Sequence, residues 1–124
     1  MLAAIVILAL TTTGCTLWGW GNNLDGQVGD GTSDTRLSPS PAPPIFDDWL
    51  SLNTGEFHSC GIRFDKSLWC WGHNAYGQLG ADLQNSQALP VRVVGSATWN
   101  TVDAGGSFTC AIRAAESLWC WGHN

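Results

Sequence analysis

Short apolar runs broken by Gly, Pro, Ser and Asn set the pattern of this chain. Toward its C-terminal end the runs come as a quartet. Val91 to Val94 follows Pro90, Trp99 to Asp103 follows Gly95-Ser96, Ser107 to Arg113 follows Gly105-Gly106, and Leu118 to Trp121 closes the unit. Runs of this length between turn residues predict strands, and the quartet predicts a four-stranded unit. The same grammar stands about 50 residues earlier, in Trp49 to Asn53, Phe57 to Arg63 and Leu68 to Trp71. No window carries a sustained apolar i, i+3, i+4, i+7 pattern, so helices are not expected. The expected class is all-β.

Side-chain alternation puts the last two strands in register. With Cys110 opposite Cys120 in an antiparallel pair, Ile112 faces Leu118 and Phe108 faces Gly122 on one side of the sheet. The other side sets Ala111 against Trp119 and Thr109 against Trp121. Fifty residues earlier the same pairing gives Cys60 with Cys70, Ile62 with Leu68, Gly61 with Trp69 and Ser59 with Trp71. Each large indole meets a small residue. A slip of one residue would exchange the faces and destroy this agreement.

One phrase recurs three times: Leu17-Trp18-Gly19-Trp20-Gly21-Asn22-Asn23, Leu68-Trp69-Cys70-Trp71-Gly72-His73-Asn74 and Leu118-Trp119-Cys120-Trp121-Gly122-His123-Asn124. Trp49 recurs as Trp99, Cys60 as Cys110 and Ile62-Arg63 as Ile112-Arg113. A fixed period near 50 residues marks a stacked or circular repeat, and four-stranded units at that period are propeller blades.

Two stretches resemble the repeat of the regulator of chromosome condensation family. They are Trp71-Gly72-His73-Asn74-Ala75-Tyr76-Gly77-Gln78-Leu79-Gly80 and Trp20-Gly21-Asn22-Asn23-Leu24-Asp25-Gly26-Gln27-Val28-Gly29-Asp30-Gly31-Thr32. Pro90-Val91 and the stretch Gly105-Gly106-Ser107-Phe108-Thr109-Cys110-Ala111 fit as well, and the likeness runs from Leu17 to Asn124. The resemblance implies a β-propeller of usually seven blades, for which this chain is roughly a third of the length. It is accordingly read as a fragment of about two four-stranded antiparallel blades plus a partial blade, occupying residues 16–124. Trp69, Trp71, Trp119 and Trp121 fall at the family's structural Trp positions. Open blade edges predict self-association.

Composition narrows the partners. Ten acidic against five basic residues give a net charge of −5, and the bases are scattered. Phosphate-backbone binding needs clustered Lys and Arg, so nucleic acid is not an expected partner. Residues 1–15 carry two readings. The apolar run Leu2 to Leu10 before Thr12-Thr13-Gly14-Cys15 suits an export signal with Cys15 as a candidate lipidation site, although no Lys or Arg precedes it. The rival reading makes the segment a strand leading into Leu17-Trp18. Cleavage before Cys15 would remove that strand.

The cysteines carry the sharpest chemistry. Cys60/Cys70 and Cys110/Cys120 are each ten apart, and the register places each pair face to face at a disulfide-compatible separation. The first copy lacks both members: Gly19 replaces the second, and Ala9 or a neighbour stands for the first. Two rivals are buried free thiols in a reducing compartment, and zinc held by His58, Cys60, Cys70 and His73. The last copy has Phe108 in place of His58 and keeps both cysteines, which speaks against a metal set. Asp25, Asp30 and Asp34 cluster in a Gly-rich loop, but the equivalent loop holds only Asp82, and acidic turn residues are common. Nucleophile–base sets and phosphate-loop lysines are absent. No metal, cofactor or catalysis is expected.

The expected function is a non-catalytic binding module at the cell envelope or exterior, with a protein or glycan partner. Recognition would fall to the divergent connections Asn22–Pro44, with Asp25, Asp30 and Asp34, and Asn74–Pro90, with Tyr76, Asp82, Gln84 and Asn85. The alternative implied by the resemblance is guanine-nucleotide exchange on a small GTPase. No long insertion for that activity stands between the strands.

Overall fold

A computed structural model describes residues 5–11 and 14–124 of the chain. Residues 1–4 and 12–13, part of the segment read as signal or strand, lie outside the described residues. The chain forms strands β1 (Ile5–Thr11), β2 (Gly14–Gly21), β3 (Arg36–Pro41), β4 (Trp49–Thr54), β5 (His58–Arg63) and β6 (Leu68–Gly72). Strands β7 (Gln87–Arg92), β8 (Trp99–Ala104), β9 (Phe108–Arg113) and β10 (Leu118–Gly122) follow, with one 3-10 turn at Pro44–Phe46. They make three antiparallel sheets ordered β1-β2-β3, β4-β5-β6-β7 and β8-β9-β10. The all-β propeller-repeat architecture is the expected one.

The register of both Cys-bearing hairpins is as expected. Cys60 opposes Cys70, Ile62 opposes Leu68 and Gly61 opposes Trp69. Cys110 opposes Cys120, Ala111 opposes Trp119 and Thr109 opposes Trp121.

Two local expectations need correction. Val91 does not open the last unit; with Arg92 it ends β7, the outer strand of the middle sheet, where Val91 pairs with Cys70 and Arg92 with Trp69. Pro90, taken in sequence as a break, sits inside this strand. A proline has no N–H to donate, so an outer strand can hold it where a central one cannot. Strand β3, the matching outer strand of the first sheet, carries Pro39 and Pro41 in the same way. The complete four-stranded unit therefore runs from Trp49 to Arg92. In the first copy, Gly19 is opposed by Val6, and Ala9 pairs with Thr16.

The sheets stack face to face. Cys15, Leu17, Ala42, Phe46, Trp49 and Trp71 pack between the first and middle sheets. Cys60, Ile62, Leu68, Cys70, Leu79, Val93, Trp99 and Ala111 pack between the middle and third. Asn53 Oδ1 also accepts the Ala104 N–H at 2.7 Å, tying β4 to β8. The middle sheet is covered on both faces, which is why His58 through Ile62 are all buried. Burial of one such aliphatic side chain contributes about 1.5–3 kcal/mol.

Candidate binding face

The Gly-rich phrase after β2 and β6 folds into a latch that clasps the next sheet. Asn23 Oδ1 accepts the Val28 N–H at 2.9 Å, and Gln27 Oε1 accepts the Asp25 N–H at 3.0 Å. The second copy repeats both bonds: Asn74 Oδ1 accepts from Leu79 N at 3.1 Å, and Gln78 Oε1 from Tyr76 N at 3.0 Å. Each curled loop offers one carbonyl to its neighbour. Gln27 O accepts from the Trp71 indole at 3.0 Å and from Ser59 Oγ at 2.9 Å. Gln78 O accepts from the Trp121 indole at 3.0 Å and from Thr109 Oγ1 at 2.7 Å. The last Gly of each phrase is required twice over. Gly29 and Gly80 have φ of 82° and 64°. A Cβ at either would come within 2.6 or 2.5 Å of the indole nitrogen it abuts.

His58 belongs to the same seam. Thr109 gives its single hydroxyl proton to Gln78 O, so His58 Nε2, 2.8 Å from Thr109 Oγ1, must be the donor in that contact. Burial, with a smaller push from His73, lowers the His58 pKa to about 4. The imidazole is neutral at physiological pH, and its Nδ1 is buried without a hydrogen-bond partner. His58 thus joins two sheets and has no open approach for a substrate.

The chosen loop residues divide into structural and displayed ones. Asp30 is structural. Its carboxylate takes Arg36 Nε at 2.5 Å, and Thr32 N and Oγ1 at 2.9 and 2.7 Å. Burial pushes its pKa up, but the Thr32 and Arg36 hydrogen bonds outweigh that and hold it below the usual carboxylate range. The Asp34 backbone carbonyl accepts from Asn23 Nδ2 at 3.0 Å. Asp25 Oδ1 is 3.5 Å from Ser86 Oγ, so the two divergent loops meet there. Asp82, Gln84 and Asn85 are exposed. Among the described residues, no three His, Cys, Asp or Glu side chains converge on a metal position.

Tyr76 leads to His123 and Phe57, to which the sequence reading gave no role, and to His73, weighed there only as a zinc ligand. Half exposed at 52%, it meets the His123 ring edge-on at 4.5 Å between centroids and lies 6.2 Å from His73. Phe57 continues the row 6.1 Å from His73, and Gln78 Nε2 donates to His73 Nδ1 at 2.7 Å. The available signal was the period, since His73 and His123 occupy one repeat slot. Asn22 fills that slot in the first copy, so the repeat does not demand an aromatic ring there.

The four paired cysteines are bonded as Cys60–Cys70 and Cys110–Cys120, each with Cα atoms 4.1 Å apart. Sulfurs joined to each other are not thiolate ligands, which removes the zinc set. Cys15 is free and buried; its backbone N–H donates to Asp47 O at 2.7 Å.

Family models described as the regulator of chromosome condensation (RCC1) repeat match residues 65–112 and 50–78. The chain belongs to the regulator of chromosome condensation repeat family. The X-linked retinitis pigmentosa GTPase regulator homolog of Caenorhabditis elegans is 36% identical over 73 residues, 58% of this chain and 5% of that protein. The RCC1 domain-containing protein RUG3, mitochondrial, of Arabidopsis thaliana is 31% identical over 87 residues, 69% of this chain and 19% of that one. The chain spans less than a fifth of either relative.

Solved structures agree on the fold. Human WBSCR16 superposes with a TM-score of 0.85 at 21% identity, over 98% of this chain and 31% of that one. Prp20p of Saccharomyces cerevisiae gives 0.80 at 20% identity, over 97% and 28%. The ectodomain of the Physcomitrella patens receptor kinase CR4 gives 0.56 at 22%, over 99% and 33%.

Proposed function

We propose that this chain is a non-catalytic binding module of propeller repeats, taking a protein or glycan partner at the cell envelope or outside the cell. The carrying observation is how the repeat spends its polar groups. Asn23, Gln27, Asn74, Gln78, Trp71 and Trp121 are committed to the latches, whereas Asp82, Gln84 and Asn85 are left to solvent and Tyr76 is half exposed beside His73 and His123. A rigid scaffold with exposed, divergent loops is the arrangement that recognition uses. Proteins of similar fold support a protein partner: yeast Prp20 has been solved with Kap60 and studied for binding to Gsp1p and histones.

Export is supported by the two disulfides, which persist in oxidising compartments, and by the occurrence of a similar fold in the CR4 ectodomain. Within residues 1–15, the pairing of β1 with β2 and the burial of Cys15 favour the strand reading over a lipid anchor. The outer side of β10 pairs with no strand among the described residues, which favours self-association of the chain.

The test exchanges Asp82, Gln84 and Asn85 for Ser and Tyr76 for Phe, which keeps the ring contacts with His73 and His123, then measures capture of partners and glycans from the host's own extract. Capture should fall at least tenfold with the melting temperature unchanged; undiminished capture would remove these loops. The name of the GTPase-regulator relative motivates a second reading, nucleotide exchange on a small GTPase. Accelerated release of a labelled guanine nucleotide would promote it.

A further inference from the structure

Two arginine–indole stations in this molecule are built alike and finished differently. In the middle sheet Arg63 lies 5.4 Å over the Trp69 ring and is ion-paired with Asp48. Phe46, buried, meets Trp69 edge-on at 6.0 Å between centroids. Phe46 and Asp48 both come from the segment joining β3 to β4.

In the third sheet Arg113 and Trp119 stand where Arg63 and Trp69 do, and Trp99 pairs with Arg113 as Trp49 pairs with Arg63. Backbone hydrogen bonds align the two joining segments. Ala42 N–H donates to Leu17 O as Val93 N–H does to Leu68 O, and Phe64 N–H to Asp48 O as Ala114 N–H does to Thr98 O. Asp48 thus becomes Thr98, and the place of Phe46 falls to Ser96-Ala97 in a segment one residue shorter.

What remains is a cleft of about 230 Å³ between the middle and third sheets, lined by Val93, Val94, Trp99, Arg113, Trp119 and Trp121 among others. The Arg113 guanidinium lies 3.9 Å over the Trp119 ring and 5.2 Å from the Trp99 ring. Its Nε is buried without a hydrogen-bond partner, and no carboxylate pairs with Arg113 among the described residues. Trp119 is 47% exposed, and its indole N–H is already given to Ser117 Oγ at 3.0 Å, so its ring face is what it offers.

We propose that this cleft binds an aromatic–acidic peptide segment of a partner protein, of the form aromatic-x-Asp. That segment would supply from outside the ring and the carboxylate that Phe46 and Asp48 supply internally one sheet earlier. An unpaired, partly desolvated guanidinium selects an acidic group strongly, and the indole face selects the ring. The inference gives the binding-module reading a second surface and a ligand chemistry. The loop-face variants test that reading separately.

The probe is the chain's own sequence as a capped peptide, Pro-Pro-Ile-Phe-Asp-Asp, titrated onto the 124-residue protein while the indole N–H resonances are followed by NMR. Saturable shifts centred on Trp119 are expected. Peptides with Ala for Phe, or Asn for both Asp, should bind at least about tenfold more weakly. Thr98→Asp, which returns a carboxylate to Arg113, should weaken the parent peptide by a similar factor. If that variant fails to fold, Arg113→Gln carries the same expectation. Absence of saturation at millimolar peptide, equal binding of the Asn peptide, or shifts at Trp69 with Trp119 unmoved would each overturn the proposal.

Discussion

Hairpins β5–β6 and β9–β10 have nearly the same sequence, the same register and the same disulfide, yet they live in different surroundings. Ile62, Leu68, Cys60 and Cys70 are at most 1% exposed, whereas Ile112 is 38% and Leu118 67% exposed. Strand β7 pairs with β6, and the third sheet covers the face of β5. The corresponding positions around β9 and β10 have no such cover among the described residues. The repeat therefore encodes the hairpin, and stacking decides whether its side chains count toward the core.

The largest expected contrast follows directly. Leu68→Ala should cost about 2–5 kcal/mol in chemical denaturation, and Leu118→Ala no more than about 0.5 kcal/mol. Comparable losses at the two sites would mean that β10 is covered in solution, for example by self-association.

A pH contrast comes next. His58 has a folded pKa of about 4 against an ordinary 6.5, so between those values the unfolded chain binds the extra proton. Its contribution is fully present above pH 6.5 and is lost as pH falls toward 4, by roughly 3 kcal/mol at the limit. Urea midpoints at pH 7.5, 5.5 and 4 would measure it. His58→Gln, which keeps a donor for Thr109, should flatten that part of the profile; an unaltered profile would assign the titration elsewhere.

The disulfides sharpen the comparison kinetically. Both bridges close ten-residue separations, so loss of either should cost a similar amount, about 2–3 kcal/mol. Access differs: Cys120 is exposed, and both partners of Cys60–Cys70 are fully buried. Mild reductant followed by alkylation and peptide mapping should label Cys110 and Cys120 first. Simultaneous labelling would show that the middle sheet opens as readily as the third.

The smallest effect concerns the latches. Trp71→Phe and Trp121→Phe each remove one indole N–H from a Gln carbonyl, at a cost of about 1 kcal/mol. The loss should be greater at buried Trp71, where the ring also packs 5.4 Å from Trp49. Equal and negligible effects would mean that Ser59 and Thr109 alone satisfy those carbonyls.

Much of this was legible along the chain. Period, strand class, cysteine pairing and the pairing of Gly61 and Ala111 with large indoles all rest on alternation within a hairpin, which is local. Val91 was assigned to the wrong sheet because Pro90 reads locally as a break, and only an edge position makes it tolerable in a strand. Tyr76 was chosen as a binding residue, but its partners His123 and His73, the latter weighed only as a zinc ligand, were not joined to it, since the rings converge only when two sheets stack. Asp30 looked displayed and proved to be held by Arg36 and Thr32.

By itself the sequence determined the repeat and the hairpins: side-chain period, turn residues and Cys spacing act over about ten residues, where the chain's own geometry leaves few choices. Tertiary structure alone decided which copy forms the core, which polar groups became seams and where a cleft stayed open. These depend on contacts between residues far apart in sequence, such as Gln27 with Trp71, 44 positions on, and His58 with Thr109, 51 positions on. The same phrase is buried at Leu68 and exposed at Leu118 because burial is a property of neighbours, and a residue's own sequence window does not contain them.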